Sequence, residues 1–106
     1  MSNADILERL GSTIAQRLQA DPQGSYVSSL AAKGQDAILR KVMEEAAETL
    51  LASKEGDKLH LIRETADLWF HCMVLLAWHG ARPDDVLAEL ARREGTSGIE
   101  EKKSRG

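Results

Sequence analysis

Apolar residues recur along much of the chain at intervals of three and four, the spacing that keeps side chains on one face of a helix. Ile6, Leu7, Leu10, Ile14 and Leu18 share such a face on a first helix. It starts near Asp5, whose offset to Glu8 fits a capping box, and stops at Asp21-Pro22. After a Gly-Ser turn, residues 25–32 fit either a short helix or an ordered loop. The pattern then predicts a second long helix over 35–55, ended by Gly56, and a third from Asp57 as its cap to His79, ended by Gly80. So short a link makes these two antiparallel neighbours. Pro83 in a first turn, Asp84 and Asp85 near the positive helix end, and Arg92 and Arg93 in the last turn frame another helix, closed by Gly95. The fold class is therefore all-α, a small bundle of four to five helices with residues 1–94 as its single domain. Residues 95–106 are a polar, basic tail with one apolar residue, too little to anchor a packed element unless substrate or a partner orders it.

Two acidic clusters interrupt this pattern: Glu44, Glu45 and Glu48 on the second long helix, and Glu64 and Asp67 on the third. Glu45 with Glu48, and Glu64 with Asp67, each lie about one turn apart on a shared face. Both pairs sit roughly ten residues from the Gly56-Asp57 turn, so the hairpin brings them level. On the second helix the apolar arc is Ile38, Leu39, Val42, Met43, Ala46 and Leu50; Glu45 stands at its edge, while Glu44 and Glu48 point away. Taken alone, that helix also fits an ordinary solvated acidic face with Lys41 as a local partner. On the third, Glu64 and Asp67 share an arc with His60 and His71 that continues as Val74, Leu75 and Trp78. Carboxylates aimed into an apolar layer require a cation or a pairing partner. Arg63, four residues before Asp67, is the structural alternative to a metal.

Composition narrows the chemistry. The chain has 106 residues, 42% hydrophobic and 29% charged, with fourteen basic against seventeen acidic residues and a net charge of −3. That balance lacks the long-range attraction to phosphate backbones that general nucleic-acid binders carry, so no nucleic-acid partner is expected. The longest apolar stretch, 68–78, is eleven residues broken by His71, far short of the roughly 20 needed to cross a bilayer. With no membrane span, a single Cys72 and no signal-peptide pattern at the N-terminus, the expected location is cytoplasmic. Cys72 has no base at helical spacing and reads as a small buried hydrophobe. His71 reads as a core or second-layer histidine, and His60 and His79 as exposed groups near helix ends.

Carboxylates without thiolates or a three-histidine set favour Mg²⁺ or Mn²⁺ over zinc, and a di-iron site would want Glu-x-x-His on two helices. Mg²⁺ takes much of its shell from phosphate, which points to a phosphorylated substrate. Lys33, Arg40 and Lys41, with Arg92, Arg93, Lys102, Lys103 and Arg105 toward the end, are available as cations for its outer oxygens, and each taken singly also fits a solvated surface charge. Trp69, Phe70, Met73 and Trp78 surround most of the third long helix with apolar surface, more than a small bundle buries, which suggests dimerisation through the long apolar helices.

Glu44-Glu45-x-x-Glu48 followed by Glu64-x-x-Asp67 resembles the signature of the all-α, MazG-like nucleoside triphosphate pyrophosphatases. Within them the chain is most similar to the phosphoribosyl-ATP pyrophosphatase family. The similarity runs through Ser25-Tyr26 with Leu30, Lys33-Gly34, Ile38-Leu39, Lys41-Val42-Met43-Glu44-Glu45, Glu64-Thr65-Ala66-Asp67-Leu68, the 84–90 segment and the tail from Gly95 to Lys102. Val27 and Met43 depart from that pattern, where threonine and glycine are common. The resemblance implies hydrolysis of 1-(5-phosphoribosyl)-ATP between its α and β phosphates, in histidine biosynthesis, with Mg²⁺ required. It also implies metal ligation by Glu45, Glu48, Glu64 and Asp67, with Glu44 holding a further ion or orienting the attacking water beside Glu45. Lys33 and Lys41 are the expected phosphate contacts, the basic tail is expected to close over substrate, and a homodimer or larger assembly is expected. Two other readings share these residues: a house-cleaning pyrophosphatase of canonical or damaged nucleotides, and a non-catalytic helical interaction module.

Overall fold

The computed structural model describes residues 3–105; Met1 and Ser2 of the expected domain and Gly106 of the expected tail lie outside it. The described residues form a 3-10 turn, Asn3–Asp5, and six helices: α1 (Ile6–Leu18), α2 (Tyr26–Ala32), α3 (Gln35–Glu55), α4 (Lys58–Trp78), α5 (Pro83–Arg93) and α6 (Gly98–Arg105). Among the described residues there is no strand.

The two long helices are antiparallel because the chain reverses within two residues. Gly56 adopts φ 78°, a left-handed conformation that costs a residue without a Cβ little, and its N–H closes onto the carbonyl of Ser53. Asp57 then caps α4, its carboxylate accepting from the backbone N–H of His60 at 3.2 Å. α3 and α4 pack along their length, α1 lies against α4 with α2 and α5 on its flanks, and α2 also meets α3. Ile14, Val27, Leu30, Ile38, Met73 and Val74 form the core where these helices meet, with Leu7, Leu10, Leu18 and Phe70 packed around it.

The open segment at 25–32 resolves as a helix through a reciprocal cap. The Ser25 hydroxyl accepts from the Ser28 N–H, and the Ser25 N–H donates to the Ser28 hydroxyl, both at 3.1 Å. The box expected at Asp5 and Glu8 does not form. Asn3–Asp5 is already coiled and Asp5, at φ −110° and ψ 18°, lacks the extended backbone that aims a cap side chain at the first turn; its carboxylate pairs with Arg9 at 3.1 Å. The tail also differs from expectation in being helical. Ser97 and Glu100 cap it locally, the Ser97 hydroxyl accepting from the Glu100 N–H at 3.1 Å, yet its one apolar residue, Ile99, stays exposed.

α5 is tied to α1 by the Arg82 guanidinium, which donates to the Ser12 hydroxyl at 2.6 Å, and by a close approach of Gly11 to the Pro83 ring. The apolar arc expected on α3 divides: Ile38 is fully buried, whereas Leu39, Met43 and Leu50 face outward. Leu51, Leu59, Ile62 and Trp69 are exposed too, so the α3–α4 hairpin carries apolar surface that the other helices leave uncovered. No described helix is long and apolar enough to cross a membrane.

Candidate metal centre

Carboxylates from α3 and α4 meet across the hairpin. Glu45 is turned to the inner edge of α3 and is only 6% exposed. Its Oε1 lies 3.4 Å from the Lys41 ammonium, one turn earlier, and that ammonium is also 3.4 Å from Oε2 of the exposed Glu44. The other oxygen, Glu45 Oε2, is buried and meets no hydrogen-bond donor. On α4 the half-buried Glu64 repeats the arrangement: Oε1 is 3.4 Å from His60 Nε2, and Oε2 is buried without a donor. His60 is itself held from the other side by Glu55, whose Oε2 is 3.1 Å from Nδ1. The Glu55 hydrogen bond is the first reason the imidazole stays protonated above its ordinary range.

Glu48 completes the cluster from the solvent side. One oxygen each from Glu45, Glu48 and Glu64 lies within 4.8 Å of the others. Crowding of like charges has a visible effect: the Glu48 carboxyl is held above its ordinary value, first by hydrogen bonding and repulsion from Glu64, with desolvation adding to it. A buried carboxylate oxygen with no donor costs about 1–3 kcal/mol, and this cluster contains two of them. A hard divalent cation answers both problems at once, satisfying the orphaned oxygens and neutralising the crowded charge. The residues present therefore fit a metal ion.

Other predicted residues sit less centrally. Asp67 is exposed and lies outside the three-acid group; its backbone carbonyl accepts from His71 Nδ1 at 2.8 Å. Among the described residues no ion pair joins Arg63 to Asp67. Lys41 is engaged with Glu44 and Glu45, whereas Lys33 caps the C-terminal end of α2 with its side chain exposed. His71 is buried, as a core or second-layer histidine should be. His79 is exposed at the end of α4, bonded to Gln35 at 2.9 Å. Burial pushes the Cys72 thiol up, away from the thiolate that nucleophilic chemistry needs.

Two features escaped the sequence reading. His60, near the start of α4 as expected, also bridges Glu55 and Glu64; its four-residue offset to Glu64 was the available signal. Tyr26, forty-five positions from His71, bonds that ring through its hydroxyl at 2.8 Å, a contact that no local pattern announces.

A family model described as phosphoribosyl-ATP pyrophosphohydrolase matches residues 7–94. A protein of Chromobacterium violaceum named phosphoribosyl-ATP pyrophosphatase is 64% identical over 101 residues, covering 95% of this chain and 94% of its own. Proteins of the same name from Nitrosospira multiformis and from Azoarcus sp. are 61% and 60% identical, each over 105 residues and 99% of this chain, and over 87% and 98% of their own lengths.

Proposed function

The chain belongs to the phosphoribosyl-ATP pyrophosphohydrolase family, and from that premise we propose that its acidic cluster is where 1-(5-phosphoribosyl)-ATP is hydrolysed. Water is added across the anhydride between the α and β phosphates, giving 1-(5-phosphoribosyl)-AMP and pyrophosphate, a step of histidine biosynthesis in the cytoplasm. The observation that carries the site assignment is the pair of buried oxygens without donors, Glu45 Oε2 and Glu64 Oε2, on two acids whose carboxylates come within 4.8 Å of each other across the hairpin.

Glu45, Glu48 and Glu64 would hold the cation, with Asp67 as a further ligand and Glu44 to hold a further ion or orient the attacking water beside Glu45. Mg²⁺ suits this all-oxygen set, Mn²⁺ being an equivalent substitute; when bound, it neutralises charge on the phosphate oxygens and lowers the pKa of coordinated water. The protein's own contribution is placement. Lys41 fixes the outer oxygen of Glu45 and His60 that of Glu64, so each buried acid presents one oxygen inward from a rigid helix. Lys41, at the cluster's edge, and Lys33, exposed at the end of α2, meet the outer phosphate oxygens, and the basic face of α6 closes toward bound substrate. A second copy of the chain covers the apolar surface of the hairpin in a homodimer or larger assembly.

The test is turnover of phosphoribosyl-ATP beside a panel of canonical and oxidised deoxynucleoside triphosphates, with Mg²⁺ and with chelator. Release of pyrophosphate from phosphoribosyl-ATP, lost in Glu45→Gln and in Asp67→Asn while the helical spectrum is kept, is the expected result. Preference for the deoxynucleotides would reject the substrate, and undiminished turnover in both variants would reject the site.

A further inference from the structure

Beside the acidic cluster stands a pair of rings that its chemistry has not yet used. His71 is 6% exposed and follows Asp67 by one turn of α4, with Nδ1 at 2.8 Å from the Asp67 carbonyl oxygen. A carbonyl can only accept, so Nδ1 carries the hydrogen and Nε2 of the neutral ring is left as an acceptor. Tyr26 Oη lies 2.8 Å from that Nε2. The phenol therefore donates its one proton to the imidazole, and what it offers elsewhere is a lone pair.

Its position is fixed from several sides. Tyr26 is the first residue of α2, whose start is set by the Ser25–Ser28 box. Its ring meets His71 edge-on, with centroids 5.7 Å apart at 86°, and Phe70 braces both rings at 6.4 and 5.3 Å. Tyr26 is nonetheless 49% exposed, so the pair is buried at the imidazole end and open at the phenol end. Burial is the first cause holding the phenol's proton in place, and the charges of Lys41, Glu45, Glu44 and Asp67 also act on it.

We propose that Tyr26 is a substrate contact whose hydroxyl accepts a hydrogen bond from a ribose hydroxyl of the nucleotide, and that His71 is a positioning residue that fixes the direction of that hydroxyl. The chemistry selects this partner. Phosphate oxygens at neutral pH are acceptors and gain nothing from a second acceptor, and a neutral phenol is a poor ligand for a hard cation surrounded by carboxylates. Sugar hydroxyls are the abundant neutral donors on a phosphoribosyl nucleotide. The inference rests on the hydrolytic reading of the cluster and adds a specificity element to it, since a ligand made only of phosphate would not register Tyr26.

The experiment compares KM and kcat for phosphoribosyl-ATP with the inhibition constant of inorganic pyrophosphate, which has no sugar, in the unmutated chain and in Tyr26→Phe, His71→Leu, His71→Gln and the Tyr26→Phe/His71→Leu double variant. Loss of one neutral hydrogen bond predicts a KM about five- to tenfold higher in Tyr26→Phe, with kcat within about twofold and pyrophosphate inhibition unchanged. His71→Leu should match it, His71→Gln, which restores an acceptor, should recover part of the loss, and the double variant should be no worse than Tyr26→Phe. Equal KM in the unmutated chain and Tyr26→Phe, equal weakening of nucleotide and pyrophosphate, or additive losses in the double variant would each overturn it. A wrong substrate shows differently, as absent turnover of phosphoribosyl-ATP by the unmutated chain, and the same comparison is then made on whichever nucleotide the chain hydrolyses.

Discussion

Each of the two inward acids has one oxygen tied to a basic side chain and one left bare. Without an ion, that arrangement loads the folded state with unsatisfied and mutually repelling groups, a cost tolerated because two long packed helices hold them in place. Filling the site should consequently be read as stability. At free Mn²⁺ a hundredfold above its dissociation constant the folded state gains about 2.7 kcal/mol, which for a chain of this size raises Tm by roughly 10–20 °C. Differential scanning calorimetry with Mn²⁺ and with chelator should show that shift in the unmutated chain and lose most of it in Glu45→Gln. An identical rise in both would mean that the ion binds elsewhere. The inward turn of Glu45 and Glu64 was legible in the sequence because each lies next to an apolar stripe on its own helix. The exposure of Asp67 was not, since helical phase alone does not say how far the neighbouring helix extends over that arc.

Between elements, α1 and α5 approach closely at Gly11 and Pro83. A Cβ added at Gly11 would lie 2.7 Å from Cδ and 2.9 Å from Cγ of Pro83, and a proline ring on the first turn of a helix has little freedom to retreat. Gly11→Ala should cost about 1–3 kcal/mol in overpacking, more than the roughly 0.8–1 kcal/mol that alanine returns in helix propensity, so thermal melts should show a lower Tm. A gain would show that α5 moves freely over α1. The last turn of α5 has its own pH signature. Arg92 first and then Arg93, at 2.7 and 3.2 Å, hold the Glu89 carboxyl down to about 2. A carboxyl depressed on folding stabilises above its unfolded value near 4.5, and that contribution is lost as pH falls toward 2. Melts of the unmutated chain and Glu89→Gln should therefore differ at pH 6 and converge by pH 2; a constant gap would exclude the carboxylate as its source. Most helix boundaries were readable because Gly56, Gly80 and Pro83 act through their own backbones and Asp57 through a carboxylate that reaches only the next turn. The start of α2 was undecided because Ser28, not a glutamate, closes its cap, and α6 was missed because Ser97 and Glu100 make a helix end without making a core.

As a whole, the molecule is extended for its mass. Its radius of gyration is 15.7 Å and its extents are 46 × 34 × 34 Å, against about 13 Å for a compact chain of this length. The accessible surface of 7606 Å² likewise exceeds the roughly 5,800 Å² typical of a compact monomer of its mass. Much of the uncovered apolar surface is on the hairpin, where Met43, Leu50, Leu51, Leu59, Ile62 and Trp69 are all more than half exposed. Light scattering should accordingly give at least twice the chain mass, and Leu50→Glu with Ile62→Glu should reduce it to one; a monodisperse unmutated monomer would refute this. The reversal at Gly56 and Asp57 has one more consequence. Both arms of the ion site are measured out from a single bend, so the hairpin behaves as a caliper whose jaws are set at manufacture. Lengthening one arm by a single residue swings its acids through about 100°, leaving a well-formed helix that grips nothing.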